Sequence, residues 1–146
     1  MIEMKEQMSL PGAGGQLKDV LDLMGRLALV ILFVVSGVGK VLNYSGTAAF
    51  MEASGVPSLS LPLAILVEIG GSLAILTGWR VLPVSIVMAG FTAATALLFH
   101  VDFSDETQKL MFLKNVSIAG AFLILAGNGP RRFSLDWWRL HRASRE

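Results

Sequence analysis

Hydrophobic positions in this chain follow neither a helical stripe nor a strand-like alternation; they gather into four long blocks separated by short polar links. The first covers residues 20–43, with an uncharged centre from Leu27 to Gly39 flanked by Arg26 and Lys40. The second, 59–79, holds a single charge near its middle, Glu68, and the third, 81–99, has none. The fourth, 108–127, carries Lys114 and Asn115 in its first half. A helix needs about 20 apolar residues to cross the hydrocarbon core, and each block has that length. Apolarity on all faces separates these blocks from the amphipathic helices of a soluble bundle, and buried strands would be shorter. The pattern predicts an all-α fold: an integral membrane four-helix bundle with antiparallel neighbours.

The polar links complete the division of the chain. Residues 1–19 mix charges of both signs with Gly and Pro and read as a flexible leader, 20–127 as the transmembrane domain, and 128–146 as a basic, aromatic tail. Thr77 to Arg80 leaves room only for a tight hairpin, and His100 to Thr107 forms an acidic link. The longest connection, Tyr44 to Ser58, predicts a short helix around 47–53 before the breaker Gly55-Val56-Pro57.

Composition reinforces lipid as the solvent. The 146 residues are 53% hydrophobic and 16% charged, against about 25% charged in soluble domains. The absence of cysteine excludes disulfide scaffolds, thiolate nucleophiles, Cys-ligated zinc and iron–sulfur clusters. Redox chemistry would need a bound cofactor or quinone, and no spacing suggests a metal site. The near-neutral formal charge of +1 hides an asymmetry. Basic residues collect in the leader, the hairpin and the tail, which by the positive-inside rule places both termini in the cytoplasm.

In the tail, Arg131, Arg132, Arg139 and Arg142 are interleaved with Trp137 and Trp138. This composition predicts a segment lying in the headgroup layer against anionic lipids, and not a nucleic-acid site.

Charges inside a span are costly and normally face protein or water with a partner. With midpoints at Ile31, Ile69 and Ile118, a 1.5 Å rise puts Arg26 about 8 Å toward the basic side and Lys40 about 13 Å toward the other, with Lys114 about 6 Å toward that same side. Glu68 lies near the midplane, so Lys114, Arg26 or both are its expected partners. Arg26 and Lys40 fall about 40° apart around one helix. With Val30, Phe33 and Gly37 they predict an inward face on the first span. His100, ending the third span, is expected near Lys40 at the outer mouth. Arg26, Lys40, Glu68, His100, Lys114 and Asn115 are therefore the candidate buried ionisable or ligand-site residues; none is assigned as catalytic. The Ser85, Ala89, Ala93 repeat reads as a packing seam. Gly37-Val38-Gly39-Lys40 lacks the first glycine and the Ser or Thr of a phosphate loop, and Ser36 has no His and acid near it for a triad.

Placed in order, these residues resemble the DoxX family of small four-helix bacterial inner-membrane proteins. The resemblance rests on Arg26 followed by Ser36-Gly37-Val38-Gly39-Lys40, on Gly55-Val56-Pro57, and on Glu68-Ile69-Gly70-Gly71 with Gly78. It continues through His100, Phe112-Leu113-Lys114-Asn115 with Ala119-Gly120, and Ser134-Leu135-Asp136. It implies a multi-pass protein of the bacterial inner membrane and, because the family is named after a subunit of a thiosulfate:quinone oxidoreductase, a link to membrane redox chemistry. The leading expectation is an accessory or partner-binding subunit with a buried charge network and no independent catalysis, working with membrane redox proteins or as a homo-oligomer. The alternatives are a quinone or small-anion binder with an outer-facing polar site, belonging to a quinone-linked oxidoreductase if it has enzymatic activity, and a small transporter acting as an oligomer.

Overall fold

The structure, a computed structural model, describes residues 13–129 and 131–143. Six α-helices follow one another: α1 (Ala13–Leu42), α2 (Tyr44–Ala53), α3 (Leu61–Thr77), α4 (Val81–Phe99), α5 (Glu106–Gly127) and α6 (Leu135–Ala143). A single 3-10 turn, Ser58–Ser60, leads into α3. Helices α1, α4 and α5, and α3 together with that turn, are long and apolar enough to cross a membrane. The first helix begins at Ala13, so residues 13–19, expected in the leader, form its opening turns instead. The rest of the leader, 1–12, lies outside the described residues.

Packing runs α1 on α3, α3 on α4 and α4 on α5. Side chains close the circuit, with the Phe33 ring of α1 edge-on to Phe122 of α5 at 5.5 Å. The core is thin: Val30, Phe33, Ile75, Met88, Ala89 and Phe122 fill it. Large apolar side chains such as Val35, Leu66, Leu97 and Ile124 point outward and are exposed, as expected where acyl chains are the solvent. Small residues allow α3 and α4 to approach: a Cβ at Gly71 would lie 2.5 Å from the Met88 Sδ. Ser72 and Ser85 are fully buried, and their hydroxyls have no partner among the described residues.

The α3–α4 hairpin is tight because Gly78 takes the left-handed conformation (φ 69°) as helix cap, with Trp79 N–H donating to the Ala74 carbonyl. Arg80 is also left-handed at φ 47°, a geometry costing about 1–2 kcal/mol outside glycine. The tail stabilises it. Asp136 accepts from the Arg80 and Val81 N–H groups at 2.8 Å each and so caps α4 from another segment. Ser134 caps α6 through Trp137 N–H, and Asp136 N–H donates to the Gly78 carbonyl.

At the opposite end, α2 folds back against the bundle, with Phe50 stacked on Phe99 at 5.7 Å and Met51 buried. The link between α4 and α5 turns on Asp102, whose carboxyl is held below its ordinary pKa by hydrogen bonds from the Ser104 hydroxyl and N–H. Asp105 then caps α5 through Thr107 N–H.

Candidate functional site

In the half of the bundle covered by α2, the helices enclose a cavity of about 450 Å³, partly open at one side. Its walls are mainly apolar, with Phe33, Phe91 and Leu98 among them, and α2 contributes Phe50 and Met51 as a roof. Polar side chains converge from the four spanning helices: Ser36 and Lys40 from α1, Glu68 from α3, Thr95 from α4 with His100 just after it, and Lys114 and Asn115 from α5.

The strongest of these contacts is between Lys40 and Glu68. Lys40 Nζ lies 2.9 Å from Oε1 and 3.0 Å from Oε2, and it donates to Ser36 Oγ at 2.6 Å. Ser36 Oγ in turn donates to Glu68 Oε1 at 3.2 Å. Glu68 is buried and Lys40 half-buried. The three groups form a closed, electrically neutral unit in which the ammonium's donors are all directed at oxygen. Such a pair gains little net energy over apolar packing, but removing one partner leaves a buried charge and costs about 3–5 kcal/mol.

This pairing corrects the expectation that Glu68 is neutralised by Lys114 or Arg26. Depth reckoning assumed that Ile31 and Ile69 are level, whereas Gly37 is the residue against Ile69: a Cβ there would lie 2.7 Å from Ile69 Cγ1 and 3.3 Å from Glu68 Cβ. The level of Ile69 on α1 is thus Gly37, six residues beyond Ile31, and at 1.5 Å per residue that offset of about 9 Å brings Lys40 to the depth of Glu68. Helical side chains also lean toward the helix N-terminus, so Lys40 reaches down over Ser36 to the carboxylate one turn below.

Lys114 lines the same cavity but is exposed, and among the described residues its ammonium contacts only the weak acceptor Met111 Sδ, at 3.1 Å. Buried Asn115 lies with Nδ2 3.5 Å from Thr95 Oγ1. His100 is fixed by its Nδ1 at 2.7 Å from Gln108 Oε1. Among the described residues no cluster of three metal-ligating side chains exists.

Arg26 stands apart, at the other end of the bundle. Fully buried, it donates to Asp22 at 2.9 Å, to the Ile75 and Leu76 carbonyls at 3.1 Å each and to the Phe133 carbonyl at 2.7 Å. It thereby adds a donor to carbonyls in the last turn of α3, Ile75 already accepting from the Gly78 N–H, and pins the start of the tail. The tail itself continues as α6, with Arg132, Trp138, Arg139 and Arg142 exposed, Arg131 and Trp137 half-buried, and Trp137 stacked on His141. Ser36, Asp22 and Asp136 were missed as site or scaffold residues. For the first two a signal existed: Ser36–Lys40 and Asp22–Arg26 are both i,i+4 pairs on α1.

Comparison with known proteins identifies the family of the chain. The DoxX family profile matches residues 21–101. The inner membrane protein YqjF of Escherichia coli (strain K12) is 48% identical over 121 residues, covering 83% of this chain and 93% of its own. The inner membrane protein YphA of the same organism is 35% identical over 130 residues, covering 84% of this chain and 92% of its own. No solved structure shows a significant match. With four spanning helices and two inner-membrane relatives aligned over nearly their whole length, the chain belongs to the DoxX family and is a multi-pass inner-membrane protein.

Proposed function

We propose that this protein is a ligand-binding membrane subunit whose cavity takes an uncharged, lipophilic ring of the quinone class. The observation that carries this reading is the form of the cavity: apolar walls with a few convergent polar groups, the usual make-up of a site for a largely hydrophobic ligand. A small inorganic anion is disfavoured, because the apolar walls would strip its hydration and Lys40 is already neutralised by Glu68. The groups left to meet a ligand carbonyl are the Lys114 ammonium and the Asn115 amide, since neither has a strong partner among the described residues. A quinone, when bound, would supply two-electron redox capacity; the side chains here supply apolar enclosure, orientation and hydrogen-bond donors. The Lys40, Ser36 and Glu68 unit holds α1 and α3 at the spacing the cavity needs.

The test is extraction of quinone from protein purified in mild detergent, with thermal shifts on adding a short-chain benzoquinone, a naphthoquinone or thiosulfate. The expected result is co-purified quinone, a stabilising shift with one ring class and none with thiosulfate, and a shift reduced in Lys114→Met. Absence of both co-purified quinone and any thermal shift would overturn the reading. It would favour the second one, in which the charges only fix the bundle for a protein partner; the self-sufficiency of the Lys40–Glu68 pair supports that alternative. We also propose that the end bearing the hairpin, α6 and the start of α1 is cytoplasmic, supported by its concentration of Arg and Lys.

A further inference from the structure

A second groove, of about 380 Å³, runs between α1 and α5 at the end of the bundle opposite the roofed cavity. It exists because packing follows the order α1, α3, α4, α5, leaving α1 and α5 to meet mainly through side chains. Its floor is apolar, formed by Leu29 and Leu125 and by Gly25, where an added Cβ would have no atom within 4 Å. Exposed Leu21 and Ile124 line it, so it opens toward the lipid-facing surface. The end nearest the tail is polar and carries Lys18, Asn128 and Arg131.

The charge balance of that end is positive. Asp22 also lines the groove, but its carboxylate is engaged by Arg26. Asp19, beside Lys18 in sequence, is buried and does not line it. Among the described residues, neither Lys18 nor the side chain of Arg131 has an acidic partner. From Lys18 to Leu29 the helix rises about 16 Å, close to half of the roughly 30 Å hydrocarbon core. One leaflet's acyl chain therefore fits along the groove while its headgroup reaches the two cations. We infer that this groove is a specific site for an anionic phospholipid, with the phosphate between Lys18 and Arg131, the Asn128 amide beside it, and one acyl chain lying over Gly25. The site is independent of the roofed cavity and does not rest on what that cavity holds.

Native mass spectrometry of the full chain in neutral detergent tests this, using phosphatidylglycerol and phosphatidylcholine with identical chains. Phosphatidylglycerol should bind at least tenfold more tightly. Lys18→Gln and Arg131→Gln should each weaken it about fivefold and together about 25-fold, the effect expected of contacts made by single basic residues near a lipid phosphate. Gly25→Leu, which fills the groove, should weaken both lipids, while Arg139→Gln, on α6 and outside the groove, should change nothing. Equal binding of the two lipids would overturn the inference. So would a loss in Arg139→Gln matching that in Lys18→Gln, which means diffuse surface attraction, or full competition by millimolar inorganic phosphate, which means a phosphate site without chain recognition.

Discussion

Lys40 and Glu68 form a two-pronged ion pair, 2.9 and 3.0 Å from nitrogen to the two carboxylate oxygens, beside Gly37, where α1 offers α3 a glycine in place of a side chain. The distance and the glycine depend on each other. Gly37 brings the backbones close enough for a lysine one turn away to wrap onto the carboxylate.

The pair makes single and double substitutions behave differently. Lys40→Met strands a buried carboxylate and Glu68→Leu strands an ammonium. Each should lower stability by about 3–5 kcal/mol, whereas Lys40→Met with Glu68→Leu should recover most of that loss. Unfolding of the purified protein in detergent, run as a double-mutant cycle, measures the coupling; additive losses would show that the pair is not a unit.

Gly37 and Gly39 provide a matched comparison on one helix. A methyl at Gly37 meets Ile69 Cγ1 at 2.7 Å, while one at Gly39 has open space. Gly37→Ala should destabilise by about 1–3 kcal/mol through overpacking. Gly39→Ala should be neutral or stabilising by up to about 1 kcal/mol through helix propensity. Thermal melts of the two variants side by side check the sign of each.

At the hairpin, Asp136→Ala should cost about 1–2 kcal/mol, because two N–H groups at the start of α4 lose their acceptor. Arg80→Gly, which relieves a left-handed arginine, should restore about 1 kcal/mol in the Asp136→Ala background. Failure of the glycine to help would show that the Arg80 side chain, beside the Trp79 ring at 5.6 Å, matters more than its backbone.

Because the chain has no cysteine, topology can be read with single introduced thiols. Ser104→Cys, in the link between α4 and α5, should react with a membrane-impermeant maleimide in intact cells. Ala143→Cys, ending α6, should react only after the membrane is opened. The reverse pattern would invert the proposed orientation.

The four spans were legible because lipid exposure demands apolarity on every face, which leaves long uninterrupted runs that need no knowledge of partners. The inward face of α1 was legible too, since Arg26, Val30, Phe33 and Gly37 repeat at helical phase and are all buried. What could not be read was relative depth. Lipid-crossing helices carry no sharp mark for their midpoints, and a shift of a few residues along α1 exchanges Lys114 for Lys40 as the partner of Glu68. The tail shows a different limit. Ser134, Leu135 and Asp136 were visible as a motif, but the task of Asp136, capping a helix more than fifty residues earlier, depends on a contact that no local pattern encodes.

Arg26 finally bears on the order in which the chain can mature. Its guanidinium serves the end of α3 and the Phe133 carbonyl at once, so ribosomal synthesis of all four spans must be complete before its last acceptor exists. Until then a buried cation retains an unused donor, and the nascent bundle carries a built-in reason to wait for the segment that follows.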